Sequence, residues 1–245
     1  TIDGTGQASR ILTKFSDEDI EDVVDNKIGN TNFSSSLKLY LASANDLPVD
    51  YITYAYPTST TGTGEWDNGT GKFGDLPVNR TGASWIYKNS GQSNAWNTSG
   101  LSATNTGSFI AGKEGGGNWY YESNSESMEF FQSHSISSTH DLDINVTAAV
   151  KQFYDNTVVN RGFIVKLQNE YEFYTSSSIR LKYFGKDTNT IYPPFLEFGW
   201  DDRTYDQGDL HLLTTDISTI DIKNNKGEYV DEGKQRFRVT AKPKY

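Results

Sequence analysis

The 245-residue chain contains no cysteine, which excludes disulfide bonds, thiolate nucleophiles and cysteine-ligated zinc sites. Apolar residues make up only 35% of the sequence. No apolar run approaches the roughly 20 residues that a membrane-spanning helix needs, and no signal-peptide pattern is present. We therefore expect no membrane insertion, whereas the lack of cysteine leaves the compartment open, because many exported proteins also lack it.

The chain has fewer positively charged than negatively charged side chains. Lysine and arginine total 22 against 32 aspartates and glutamates, which gives a formal net charge of −10. An acidic surface repels phosphate backbones and anionic lipid headgroups. We therefore expect no nucleic-acid partner.

Aromatic side chains are abundant where aliphatic ones are few. The chain has 15 tyrosines, 13 phenylalanines and 5 tryptophans, together 13% of its residues. Large aromatic side chains can build a core that has few aliphatics, and the glycine, serine, threonine and asparagine between them are typical of turn-rich β structure. The composition therefore favours an all-β protein.

Apolar and polar residues alternate with a period of two in many segments, which predicts strands. The segments are 37–41, 52–56, 142–146, 163–167, 179–183 and 196–200. Two short helices interrupt them. The first follows a capping box that starts at Ser16, and the side chain of Thr147 caps the start of the second. Their apolar faces are Ile20, Val23 and Val24 in the first helix, and Val150, Phe153 and Tyr154 in the second.

A long polar, glycine-rich region, 58–117, carries most of the tryptophans in or just after it. Exposed aromatic rings stack on sugars, and the surrounding asparagines suit sugar hydroxyls. The candidate carbohydrate-binding residues are Trp66, Trp85, Trp96, Trp119 and Tyr120. The alternative is that these rings hold the long loops onto the sheets or contact a neighbouring subunit. The segment "AGKEGGGN" lacks the order of a phosphate-binding loop, and we expect a flexible loop there.

Catalytic and metal-binding patterns are weak. No G-x-S-x-G motif occurs, no pair of carboxylates stands out, and His134 and His140 lack a zinc-ligand spacing. We expect a non-enzymatic protein without a cofactor. A structural calcium is possible at Asp67, Asn68 and Asp75, because oxygen ligands in a glycine-rich loop suit that ion.

The chain divides by composition into residues 1–202, a charged linker at 203–209, and a segment at 210–245 with hairpin patterning and a turn at 224–227. The last segment is too short to form a core alone. It is a β extension or the start of a second β domain. Since the sequence begins without methionine, we expect a piece of a longer or processed polypeptide, with a cloning boundary or removal of the initiator as the alternatives.

Several phrases together resemble one family. They are "RILTKFS", "LKLYLA", "GASWIYKN", "DLDINVTAAVKQFYDNTVVNRGFIVKLQN" and "PPFLEFGW", within residues 7–202. The chain resembles the DNRLRE-type carbohydrate-binding-like jelly rolls, in the long form found in virion structural proteins of tailed, marine myovirus-like phages. The resemblance implies a jelly-roll β-sandwich whose short helix, through Val150 and Phe153, closes one end of the core. Phe153 or Tyr154 stands where that family usually has tryptophan.

The resemblance also implies a role. We expect a non-enzymatic structural or display component on the surface of a tailed-phage virion, as a decoration, neck, tail or baseplate protein. Its partners would be other virion proteins in a homo- or hetero-oligomeric assembly. The alternative is an adhesion module that recognises a host-surface or cell-wall glycan through exposed aromatics. A polysaccharide hydrolase or lyase has little support.

Overall fold

A computed structural model describes residues 2–3, 8–59, 65–70, 81–89, 91, 94–96, 105–108, 115–173, 179–188, 190–201, 218–223 and 238–243. The protein is mostly β, with 45% strand and 16% helix in several antiparallel sheets. The β-rich composition predicted this class. The chain divides into two compact units, Thr1–Asp201 and Asp202–Tyr245.

The bounds of the elements follow the chain order. The strands of the first unit are β1 (Ile2–Asp3), β2 (Ile11–Thr13), β3 (Phe33–Leu39), β4 (Leu41–Asn45), β5 (Asp50–Pro57), β6 (Tyr87–Asn89), β7 (Asn94–Ala95), β8 (Asn105–Ser108), β9 (Gly115–Tyr120), β10 (Glu122–Ser123), β11 (Glu126–Ser127), β12 (Phe130–Ser135), β13 (Leu142–Asn145), β14 (Phe163–Leu167), β15 (Arg180–Tyr183) and β16 (Phe195–Trp200). Its helices are α1 (Asp17–Asp22), continued by π-helical turns at Val23–Ile28, α2 (Thr147–Tyr154) and α3 (Asn169–Glu172).

The second unit contains the antiparallel pair β17 (Ser218–Lys223) and β18 (Arg238–Pro243). The predicted turn at 224–227 lies outside the described residues. Among the residues that are described, no helix is long and apolar enough to cross a membrane.

Three sheets of the first unit carry its main packing. One has four strands in the order β12-β5-β14-β2, and two have three strands, in the orders β13-β3-β16 and β1-β15-β4. Strands from all three and both longer helical segments share one large core. Fully burying a side chain such as Leu37 or Val165 contributes about 1.5–3 kcal/mol.

The helix α2 bridges two of these sheets. It follows β13 of a three-stranded sheet and precedes β14 of the four-stranded sheet. Val150 and Phe153 are buried in the large core, and the Phe153 ring lies 5.5 Å from that of Phe163. Tyr154 is half-buried and donates its hydroxyl proton to the Asp25 carboxylate at 2.6 Å. The predicted strand–helix–strand order and the predicted helix face are therefore confirmed.

The start of α2 differs from the prediction. Val146 is the N-terminal capping residue and makes no side-chain capping bond, so Thr147 is the first helical residue. The Thr147 hydroxyl oxygen accepts a proton from the Ser35 backbone N–H at 2.8 Å, while the Asn145 side chain accepts the Thr147 N–H at 3.1 Å. A neighbouring strand thus uses the hydroxyl that the sequence assigned to the cap.

The first helix is confirmed at its start and continues into π-helical turns. The Ser16 hydroxyl accepts the Asp19 N–H at 3.4 Å, and Ile20 and Val24 are buried. The π-helical turns end at Gly29, whose φ of 73° suits glycine. Its N–H donates to the Val24 carbonyl at 2.7 Å.

The predicted strand at 37–41 is two strands in different sheets. β3 ends at Leu39 and β4 begins at Leu41. At the break, the Tyr40 carbonyl accepts the Phe184 N–H at 3.0 Å, and the Leu41 N–H donates to the Asp141 carboxylate at 2.7 Å. Because these partners satisfy the backbone, the chain can leave one sheet and enter another.

The four-stranded sheet is covered on both faces. Tyr51 and Ala55 of β5 point into the large core. The alternate side chains form a second buried cluster on the opposite face. Its members are Tyr56, Trp119 and Ile164, with Leu12 and Tyr54 packed against them. The predicted Ile52–Tyr54–Tyr56 face of β5 therefore exists, but it faces away from the large core.

Candidate functional site

Three of the four candidate tryptophans have well-defined attachments. Trp96 and Trp119 are each only 3% exposed. The Trp96 indole N–H donates to the Ser84 carbonyl at 2.9 Å. Trp66 is half-buried and donates its indole proton to the Arg161 carbonyl at 2.7 Å. The Trp96 bond joins two segments of the region 58–117, and the Trp66 bond ties another segment to the turn before β14, so they favour the loop-anchoring interpretation.

The other two aromatic candidates, Trp85 and Tyr120, also contact other parts of the protein. Trp85 is half-buried, and the Arg10 guanidinium carbon lies 4.7 Å from the centroid of its ring. The same carbon lies 5.1 Å from the Trp119 ring. Tyr120 is half-buried and packs against the large core. The five candidates therefore lie in several environments and do not form one exposed aromatic platform.

A buried ionic cluster lies beside Trp85 and Trp119. It consists of Arg10, Glu172 and Lys166, with side chains 4%, 0% and 4% exposed. The Arg10 guanidinium donates to both carboxylate oxygens of Glu172, at 2.6 and 2.8 Å. The Lys166 ammonium lies 3.1 Å from the same carboxylate. One carboxylate thus serves two buried cations.

Every side-chain nitrogen of the two cations has a hydrogen-bond partner. Arg10 also donates to the Gly116 carbonyl at 2.8 Å, and Lys166 donates to the Asn169 side chain at 2.7 Å and the Leu167 carbonyl at 3.1 Å. Burial lowers the pKa of Lys166, and the charge of Glu172 opposes that shift. Satisfied donors indicate a structural network, since a site that binds a ligand keeps free groups.

This cluster escaped sequence analysis. Lys166 lies in "GFIVKL", where alternation assigns it to an outward face. One signal was available in the sequence: Ile164, which lies on the same face of the strand as Lys166, is apolar. Apolar residues on both faces are typical of a strand that is covered on both sides. A lysine in such a strand needs a buried counter-charge.

The conformation of the glycine run at the start of β9 also differs from the prediction. We expected a flexible loop, whereas Gly115–Tyr120 forms a strand paired with β8. Gly115, Gly116 and Gly117 have φ values of 108°, 72° and 105°. A Cβ on Gly116 would lie 2.6 Å from an Arg10 guanidinium nitrogen and 2.7 Å from the Trp85 ring. Glycine is needed there for close packing of backbone against the buried cluster.

A groove of about 670 Å³ lies beside β2. Its walls come from β2 and the residues after it, from the loop around Trp66, and from the turn after β15. Lining side chains with hydrogen-bonding groups include Lys14, Asn68, Lys186 and Asp187. Lys14 pairs with Glu65 at 3.1 Å, whereas the other three have no side-chain hydrogen bond within the described part of the chain.

Two of the three candidate calcium residues, Asp67 and Asn68, lie within the described part of the chain. The Asp67 carboxylate accepts the Gly69 N–H at 2.9 Å and so shapes its own loop. Asn68 lines the groove, and Asp75 lies outside the described residues. Within the described ranges, no group of three or more histidine, aspartate and glutamate side chains could hold a metal ion.

The two histidines meet across a tyrosine. The His134 ring stacks on Tyr51 with centroids 4.6 Å apart. His140 Nδ1 lies 2.8 Å from the Tyr51 hydroxyl, and burial raises the pKa of that hydroxyl. The His140 carbonyl also accepts the Tyr183 hydroxyl proton at 3.2 Å. This arrangement joins β5, β12 and β15.

Comparison with known proteins gives no further identification. No family model matches the chain, and neither a curated protein nor a solved structure matches it.

Proposed function

We propose that the first unit is a jelly-roll β-sandwich that serves as a non-enzymatic structural or display component of a tailed-phage virion. The sandwich is supported by the large core shared between the four-stranded and three-stranded sheets, and by α2, which joins strands of two sheets. The virion setting rests on the sequence resemblance alone. Its partners would be other virion proteins on the particle surface.

The observation that carries the structural role is the use of the loop aromatics. Trp96 and Trp119 are buried, and Trp66 gives its indole proton to the backbone. Buried aromatic rings fix the described segments around them, because large side chains lose much of their freedom when they pack. Surface segments that are held in place in this way suit protein–protein contacts in an assembly.

The test is the composition of purified particles. We expect quantitative mass spectrometry of gradient-purified virions to find this chain at a fixed copy number relative to the major capsid protein. The ratio should persist through repeated purification and a high-salt wash. A chain found as a free secreted protein, or at a variable ratio removed by washing, would overturn the role.

A second candidate function is glycan binding in the groove beside β2. Trp66 lines the groove together with Asn68, Lys186 and Asp187. An aromatic wall with a few convergent polar groups is the usual composition of a small-ligand site, and its volume of about 670 Å³ lies within the usual range for such sites. This placement keeps one of the five aromatic candidates in contact with a ligand-sized space.

A glycan array with matched variants tests this candidate. If the groove binds sugar, Asp187→Asn and Lys186→Met should reduce binding of the best glycan by at least about threefold, as expected for the loss of one hydrogen bond. The exposed residues Asp50 and Lys27 give the controls, Asp50→Asn and Lys27→Met. Equal binding by all four variants, or no binding by the wild-type chain, would rule the groove out.

A further inference from the structure

The outer face of the four-stranded sheet carries a chain of aromatic rings that reaches the surface. Phe131 of β12 and Tyr54 of β5 are direct cross-strand partners with ring centroids 6.0 Å apart. Tyr54 stacks on Tyr56 at 5.7 Å, with the ring planes 13° apart. The Tyr56 ring meets Tyr121 edge-on at 5.4 Å. These four residues are called the aromatic face below.

Both ends of the aromatic face are open to solvent. Phe131 is 57% exposed and Tyr121 is 37% exposed, while Tyr56 beneath them is buried. The exposed rings rest on inner rings, so their positions are fixed by packing. A large exposed aromatic that is held in place on a β-sheet marks an interaction surface.

Two carboxylates flank the aromatic face. Glu129 lies two residues before Phe131 and accepts the Tyr56 hydroxyl proton at 2.8 Å, and Glu170 lies in α3 after β14. Both residues are exposed. The pKa of Tyr54 is raised by burial first, and then by the charges of Glu129 and Glu170. The Glu129 carboxylate therefore contacts the rings directly, and Glu170 adds a second exposed acidic side chain four residues after Lys166, the cross-strand partner of Tyr54.

Within the described residues, the cation on the strand beside Tyr54 is already paired. Lys166, the cross-strand partner of Tyr54 in β14, is buried and held by Glu172, Asn169 and Leu167. Neither flanking carboxylate forms an ion pair with a cation in the part of the chain that the structure describes. The surface thus offers aromatic ring faces and free negative charge together.

We propose that the aromatic face, with Glu129 and Glu170, is a docking surface for a basic segment of a partner protein. Lysine and arginine bind over aromatic faces and pair with carboxylates, and the net charge of −10 steers such segments toward the chain. The use of this surface in a particle rests on the proposed virion role; the surface itself does not.

The experiment uses the full chain and a synthetic twelve-residue peptide that alternates glycine with lysine or arginine. Fluorescence anisotropy is measured at low and at physiological ionic strength. We expect Phe131→Ala and Glu170→Gln each to weaken peptide binding by about threefold, the range of one exposed cation–π contact or ion pair. Because the two contacts are separate, the double variant should lose about tenfold.

Matched controls separate this surface from bulk attraction. Ile136→Ala removes a still more exposed apolar side chain just beyond the end of β12, and Glu18→Gln removes an exposed carboxylate in α1. Both should bind the peptide as the wild type does. The proposal is overturned if these controls lose as much affinity as Phe131→Ala and Glu170→Gln, if the wild type does not bind, or if neutral glycans and not the peptide depend on Phe131. If the chain is absent from particles but still binds the peptide as expected, the virion role is wrong and the docking surface stands.

Discussion

His134 is a buried imidazole with one satisfied and one unsatisfied nitrogen. Its Nδ1 lies 3.1 Å from the Thr139 carbonyl. A carbonyl only accepts protons, so Nδ1 carries the proton of the neutral ring. Nε2 is buried and has no hydrogen-bond partner. A second proton on that nitrogen would therefore be a buried, unpaired charge, with Tyr51 and His140 as the titratable neighbours.

This imidazole should make the stability depend on pH. Burial lowers the pKa of His134, partly opposed by the Thr139 bond, whereas an unfolded histidine titrates near about 6.5. The unfolded chain then binds the extra proton first, so the free energy of unfolding falls as the pH drops below that value, by up to about 1.4 kcal/mol per pH unit. We expect His134→Phe to flatten the dependence between pH 7 and 5 in urea titrations. An unchanged slope would contradict the assignment.

Glu172 is the residue whose loss should cost most among the charged groups. It neutralises Arg10 and Lys166 in an interior site, and removing one partner of a buried pair costs about 3–5 kcal/mol. We expect Glu172→Gln to lower the free energy of unfolding by that amount in chemical denaturation.

An exposed ion pair gives the control for Glu172. Lys38 pairs with Asp143, whose side chain is 54% exposed, and such pairs contribute less than about 1 kcal/mol. Asp143→Asn should therefore have little effect on unfolding. Equal losses in the two variants would show that the Arg10–Glu172–Lys166 cluster is not a buried network.

At the scale of elements, a substitution in α2 tests whether this helix closes the large core. Phe153 is buried and packs on Phe163 of β14, so Phe153→Ala should destabilise the fold by about 3–5 kcal/mol. Ile136, which is 79% exposed, gives the control, because exposed substitutions change stability by about 0.5 kcal/mol or less. Thermal and urea unfolding of the two variants should separate clearly. Similar losses would mean that α2 does not seal the core.

The elements themselves were largely predictable from periodicity. The alternation at 163–167 and 142–146 and the α2 stripe each reflect a face that must be buried, and the structure places them accordingly. The break after Leu39 was not predictable, because the polar partners that satisfy Tyr40 and Leu41 lie more than 90 residues away. The strand at Gly115–Gly117 was also missed, because the close contacts that require its glycines are made by residues distant in the sequence, Arg10 and Trp85.

At the scale of the whole molecule, the sequence located the aromatic-rich region but not its orientation. Side-chain composition is the same whether an indole faces solvent or a backbone carbonyl, so the sugar-binding and loop-anchoring alternatives could not be separated for Trp96 or Trp119. The docking surface was equally hidden. Phe131 and Tyr54 are neighbours only through the β5–β12 register, which the amino-acid sequence alone does not specify.

Electron cryomicroscopy of the assembled particle tests the proposed virion role most directly. We expect ordered density for the β-rich first unit at symmetry-related positions, with a basic segment of a neighbouring protein against Phe131 and Tyr121. Particles of full composition whose maps, at side-chain resolution, contain no density that this chain fits would contradict the role as a virion structural component.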